Sequence, residues 1–303
     1  MFLLLADPAA MDRALADLAA RDERVARVGY RLVTRAAALC PVAGHPTGFA
    51  LDRLTGYGPA SRPAAARRGI GDQPTVTSVV AGSPAALAGV RVGDQLTAID
   101  GVTFADGPAL SPRGDPTAVA AADRVVADAL ANGRAELTLR RGGGERRSAI
   151  VVPPGCATRF GVRPEPALRG YADGLTVELT AGLVDLAATD GALAVPLAHE
   201  LAHNILGHPA VLRASGRTAD RVRATEVAAD RLSVYLLDLA GYDFAETLAF
   251  WGRAGPKIDH GILGDRTHPR WRARVAAMTV EHDRIVAMRT AGQAIRPPAD
   301  LLP

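Results

Sequence analysis

The pentapeptide His199-Glu200-Leu201-Ala202-His203 constrains this chain more than any other stretch. It fits H-E-x-x-H, two imidazoles one helical turn apart with a carboxylate beside the first. On an α-helix, positions i and i+4 share a face, so His199 and His203 can grip one metal ion together. Glu200 lies about 100° around the same helix, where it reaches a water at the site rather than the ion. Zinc suits this donor set, and hydrolysis of a peptide bond is the chemistry it equips. A buried Ala/Leu-rich helix can also carry two merely structural histidines, so the rest of the chain has to supply a third ligand.

A catalytic zinc takes three protein ligands and leaves one position open. Glu226 and Asp230 stand at i and i+4 in a segment whose other residues include Val227, Ala228, Ala229, Leu232 and Val234. Two carboxylates on the inner face of so apolar a helix are costly unless a metal or a histidine meets them. Glu226 is expected as the third ligand and Asp230 as acceptor for the N–H of His199. The competing arrangement is a solvated pair with Arg223 or Arg231. His208 falls off the metal face if the helix runs on past His203, and reads as structural.

Composition narrows the classes. A chain of 303 residues is long enough for two domains. The net charge is only +3, and Lys257 is the sole lysine among 35 basic residues. No basic stripe interleaved with aromatics occurs, so no nucleic-acid partner is expected. No uncharged apolar run reaches the length of a membrane span. The apolar start, Met1 to Ala6, is too short for a signal peptide and lacks a basic n-region, though it could be the end of one. Cys40 and Cys156 form no C-x-x-C and so no zinc ribbon.

Periodicity divides the chain. Residues 8–39 read as helix, and 75–80 as a strand. Ser83 and Pro84 are a proper N-cap and first helical residue. Gly93-Asp94 turns into a strand over 95–99, and Asp100-Gly101 is a tight turn. A helix over 116–130 precedes a hairpin over 135–152 around Gly142, Gly143 and Gly144. Beyond Pro153-Pro154-Gly155 come a strand over 175–180 and helices over 192–207 and 218–240. Asp243 and Glu246 form a capping box, and Pro269 opens a last helix ending near Arg289.

The run Ser-Pro-Ala-Ala-Leu-Ala-Gly-Val-Arg-Val-Gly-Asp-Gln-Leu-Thr-Ala-Ile-Asp-Gly, residues 83–101, resembles a PDZ domain of the bacterial protease type. The resemblance implies recognition of an extended peptide added beside a sheet edge, over a module spanning 44–154. Gly48-Phe49-Ala50-Leu51 is the matching carboxylate-binding loop, followed by an insertion, 52–71.

His-Glu-Leu-Ala-His, then Glu226-Val227-Ala228-Ala229-Asp230, then Thr267-His268-Pro269 resemble the gluzincin zinc metallopeptidases of the HtpX and CAAX-prenyl-protease type. The resemblance covers 171–277 well and 24–39 weakly. It implies one zinc per chain on His199, His203 and Glu226, with Glu200 as general base. It implies that His268 and Arg274 stabilise the oxyanion, or that His268 closes the fourth metal position. It implies that Thr176, Val177, Glu178 and Leu179 form an exposed edge strand that holds substrate. Members at a membrane usually carry spanning helices, which this chain lacks, so at most peripheral membrane association is expected.

The expected fold is α+β: a mainly helical zincin-type domain with a small edge sheet, interrupted by a β-rich PDZ domain. Residues 1–43 and 155–303 would form the peptidase and 44–154 the insert. Cys40 and Cys156 bracket that insert, and a disulfide between them would clamp its base. The alternative leaves two free thiols in a reduced compartment. The expected function is a zinc endopeptidase acting on protein or peptide substrates, with the PDZ selecting substrate or regulating. A bridge favours the periplasm or cell envelope, its absence the cytoplasm. Two further readings remain: a chaperone-like peptide binder whose zinc site His268 closes, and a PDZ scaffold with a degenerate second half.

Overall fold

A computed structural model describes residues 7–104, 115–258 and 270–302 of the chain. It is α+β, and its contacts divide it into two units: 1–27 with 44–154, and 28–43 with 155–303. The first helix, α1 (Pro8–Arg35), contributes to both. The sequence placed 1–43 with 155–303; the contacts put 28–43 there and 1–27 with 44–154. In the first unit, Arg67 clasps Asp12 through Nε and Nη2, with the Nη2 bond at 2.8 Å. In the second unit, Gly29 of α1 lets the Phe160 ring approach so closely that a Cβ would overlap it, and Val28, Leu32 and Val33 are buried.

The first unit is built on an antiparallel sheet. Its strands lie in the order Phe49–Asp52, Thr75–Val79, Gln95–Ile99, Arg134–Arg141, Gly144–Val151. Asp100 and Gly101 have φ of 48° and 77°, the paired left-handed conformation that a two-residue hairpin needs, and Ile99 faces Val102 across it. Phe49–Asp52, preceded by Gly48, is one of the two end strands of this sheet. The insertion after it holds a small helix, α2 (Arg62–Arg67). Ser83 Oγ accepts from Ala86 N at 3.2 Å and starts the short helix α3 (Pro84–Leu87). A longer helix, α4 (Pro116–Ala129), buries Ala122 and Val126 with Leu96, Ile99, Leu137 and Ile150.

The second unit is mainly helical. Its elements are α5 (Ala181–Leu186), α6 (Asp190–Ile205), α7 (His208–Ser215), α8 (Ala219–Leu239), α9 (Phe244–Ile258) and α10 (Trp271–Thr290). For α6, burial runs from Gly191 to Ala198 and again from Leu201 to Ile205, the pattern of a helix wrapped by others. Thr189 caps it, its Oγ1 accepting from Ala192 N at 3.0 Å. The expected capping box at α9 is half made. Asp243 accepts from Ala245 N at 2.9 Å, but the Glu246 carboxylate takes the Thr189 hydroxyl at 2.7 Å. The tertiary partner outcompetes the local one and ties α9 to the start of α6. Pro269 lies outside the described residues, and α10 opens at Trp271. No described helix is long and apolar enough to cross a membrane.

This unit also holds a three-stranded sheet, Gly170–Ala172, Thr176–Thr180 and Arg159–Arg163, in that spatial order. Thr176–Thr180 pairs antiparallel with the first and parallel with the last. The strand expected at the edge is thus the centre of its sheet. Val177 and Leu179, fully buried, are the side chains of a central strand.

Cys40 and Cys156 form a disulfide with Cα atoms 5.3 Å apart, spanning 116 residues of sequence. For so long a loop the chain-entropy model gives about 4–5 kcal/mol. Cys40→Ser with Cys156→Ser is expected to lower the denaturation midpoint accordingly. An unchanged midpoint in the oxidised buffer that keeps the wild type bridged would contradict this.

Candidate metal centre

Packing of α6 against α8 sets the site. His199 and His203 project from α6 one turn apart, and Glu226 and Asp230 from α8 one turn apart. His199 Nε2 lies 3.2 Å from His203 Nε2 and 3.3 Å from Glu226 Oε2. His203 Nε2 lies 3.5 Å from Glu226 Oε1. Atoms bound to one tetrahedral zinc at about 2.0–2.1 Å sit about 3.3–3.4 Å from one another. The three side chains are the size of that cradle, and two imidazoles with a carboxylate are a zinc donor set.

The groups behind these ligands are ordered too. His199 Nδ1 is 3.0 Å from Asp230 Oδ1, which leaves Nε2 facing His203 and Glu226. Asp230, 1% exposed, also takes Nε and Nη2 of Arg274, both at 2.7 Å. The Arg274 guanidinium stacks 4.4 Å over the Trp251 ring. Arg274 is thereby committed to Asp230, with its Nη2 4.0 Å from Glu226 Oε2. His268 lies outside the described residues.

His203 has a partner that helical spacing did not suggest: its Nδ1 is 2.9 Å from His208 Nδ1. The wheel argument assumed an unbroken helix. In the structure α6 ends at Ile205, and Gly207, at φ 63°, starts α7 in a new direction that brings His208 back. One ring must donate and the other accept; with His203 Nδ1–H as the donor, its Nε2 lone pair is left facing His199 and Glu226.

Charge follows from this packing. Burial opposes a proton on His199, but its bonds to Asp230 and Glu226 prevail and hold its pKa up at about 10. Burial first, and the neighbouring His199 second, push His203 down to about 3. Burial pushes His208 down to about 4. Burial opposes the Glu226 carboxylate, yet the bond from His199 holds it well below the usual range. Desolvation pushes the Glu200 carboxyl up to about 7.

Glu200 and the ligands line one cleft of about 1140 Å³, together with residues 168–173. The strand Gly170–Ala172 is the sheet edge on this cleft. Arg169 O accepts from Thr180 N at 3.0 Å, and Asp173 N donates to Thr176 O at 3.3 Å. By antiparallel alternation, the N–H and C=O of Gly170 and Ala172 point away from the central strand, to the free edge. Asn204, one residue past His203, fixes this edge to α6. Its Oδ1 accepts from Gly174 N at 2.7 Å and its Nδ2 donates to Thr176 O at 3.2 Å.

Gly170 carries a further constraint. A Cβ there would overlap Glu200 Oε1 and lie 2.7 Å from its Cδ. The glycine leaves room for the carboxylate, a role signalled in sequence only by a glycine within a strand. Gly170→Ala is expected to fold and to displace the Glu200 carboxylate. A crystal structure of this variant with Glu200 unmoved would contradict that role for the glycine.

Among known families, the model described as "PDZ domain" matches residues 75–111. No curated protein matches the chain significantly. The match falls in the first unit and covers three of its sheet strands, Thr75–Val79, Gln95–Ile99 and Val102–Thr103, so that unit carries a peptide-binding type of module. The cluster of His199, His203 and Glu226 lies outside the matched stretch.

Proposed function

We propose that this chain is a zinc endopeptidase that cleaves protein or peptide substrates, of the gluzincin type resembling the HtpX and CAAX-prenyl-protease group. The observation that carries the reading is the 3.2–3.5 Å triangle of His199, His203 and Glu226, with Glu200 beside it in an open cleft.

Bound to those three side chains, zinc would supply Lewis acidity, polarising the scissile carbonyl and making water easier to deprotonate. The rest falls to the chain's own residues. An extended substrate adds to the free edge at Gly170 and Ala172 through main-chain hydrogen bonds, the role first assigned to Thr176–Leu179. Glu200 takes a proton from the attacking water and delivers it to the leaving nitrogen. Asp230, backed by Arg274, and His208 hold the two imidazoles in their tautomers. Digestion of casein that stops with a metal chelator and returns with zinc tests this; zinc-loaded chain without any cleavage would overturn it.

The PDZ unit would select substrates by their extended ends. A competing C-terminal peptide is then expected to slow cleavage of proteins but not of short peptides. Equal inhibition of both would contradict that division. The Cys40–Cys156 bond belongs to the chemistry of an oxidising compartment, and we assign the protein to the cell envelope. Alkylation of both thiols on immediate lysis would exclude this.

A further inference from the structure

The charge around the cleft differs from that of the chain. The sequence as a whole is nearly balanced, with 35 basic and 32 acidic residues. The described residues lining the cleft outside the metal centre and Glu200 include Arg169, Arg213, Arg217, Arg223 and Arg270, against a single acid, Asp173. All five arginines are exposed. Asp173 is occupied, its Oδ1 accepting from Leu175 N at 2.8 Å and Thr176 N at 2.7 Å. Arg274, which also lines the cleft, is neutralised by Asp230. Near-balance elsewhere makes this rim a local concentration, not a reflection of an arginine-rich chain.

Its placement matters. Arg213 lies in the last turn of α7, the helix that supplies His208, and Arg217 stands two residues beyond its end. Arg223 stands at i and i+3 to Glu226 on α8, so it is about one turn from a metal ligand on the same helix face. Arg169 precedes the free edge strand, and Arg270 precedes α10. Guanidinium groups bind carboxylates through paired N–H donors, and a cleft lined by one sign of charge concentrates the opposite sign.

We infer that this cleft selects acidic substrates, peptide segments with Asp or Glu side chains flanking the bond to be cut. The inference rests on the endopeptidase reading for its chemistry, but not for its binding. Arginine on both the α7–α8 side and the edge-strand side favours acids over more than one residue. The interaction is exposed and so is screened over about 8–10 Å at ordinary ionic strength.

The test uses the full chain and three matched fluorescent peptides differing only in flanking residues: Glu, Gln or Lys. Zinc-loaded wild type is expected to cleave the Glu peptide roughly tenfold or more faster than the Gln peptide at low salt, and the Lys peptide slowest. The order should collapse in 0.5 M salt, a concentration whose screening length is roughly half the ordinary one. Arg213→Glu with Arg217→Glu should flatten it, and the milder Arg213→Gln with Arg217→Gln should reduce it. Binding of the same peptides to Glu200→Gln, read by fluorescence anisotropy, should show the same order without cleavage. Equal affinities for the three peptides would overturn the inference while leaving the peptidase reading intact. No cleavage of any peptide, with a preserved acidic preference in binding, would overturn the peptidase reading and leave the acidic selectivity standing.

Discussion

Glu200→Gln is expected to retain one zinc per chain and to lose hydrolysis by about 10²–10⁴-fold. The substitution keeps the side chain's shape and removes only its ability to take a proton. Glu200 is not one of the three ligating side chains, so metal content should not move. Its carboxyl, raised to about 7 by desolvation, lines the same cleft as the free edge of Gly170–Ala172. If Glu200 were only part of the cleft wall, an isosteric amide would leave the rate within a few-fold of wild type. Side-by-side measurement of kcat/KM and zinc content separates the two roles.

Asp230→Ala is expected to damage both the fold and the centre. Among the described residues, Asp230 is the carboxylate that takes the Arg274 guanidinium, at 2.7 Å through two bonds, and both groups are buried. Removing one partner of a buried pair costs about 3–5 kcal/mol because the other charge is stranded. His199 also loses the acceptor that fixes its Nδ1–H, which costs about 10–100-fold in metal affinity. A double variant disentangles these effects. Asp230→Leu with Arg274→Met removes both charges and should recover most of the stability, since apolar replacement of a buried pair is often neutral. It should not recover zinc affinity, because His199 remains without its acceptor. Wild-type zinc affinity in Asp230→Ala would show that Asp230 only balances charge.

The clustering of His199, His203, Glu226 and Asp230 was legible because helical spacing converts sequence into geometry. His199 with His203, and Glu226 with Asp230, each need only one local turn, and an apolar helix makes inward carboxylates conspicuous. The Ser83-Pro84 start and the Asp100-Gly101 turn were legible for the same reason, being decided within a few residues. What escaped depends on tertiary pairing. Alternating apolar residues marked Leu175–Thr180 as a strand, yet whether a strand is an edge depends on its neighbours, and Arg159–Arg163 is a partner that sequence distance concealed. His208 escaped because a single left-handed Gly207 redirects the chain between it and His203. Glu246 had a valid local partner in Asp243 and took a distant one in Thr189. The division of α1 between two units is invisible in its continuous periodicity.

The central claim is that one metal on His199, His203 and Glu226 enables peptide hydrolysis. Titration of zinc into metal-stripped protein, with casein cleavage followed at each addition, tests it most directly. Activity should be absent at the start, rise in proportion to zinc, and level off at one equivalent, with Glu226→Ala showing neither uptake nor cleavage. Hydrolysis by the stripped protein, or stoichiometric zinc uptake with no hydrolysis at any point, would contradict the account.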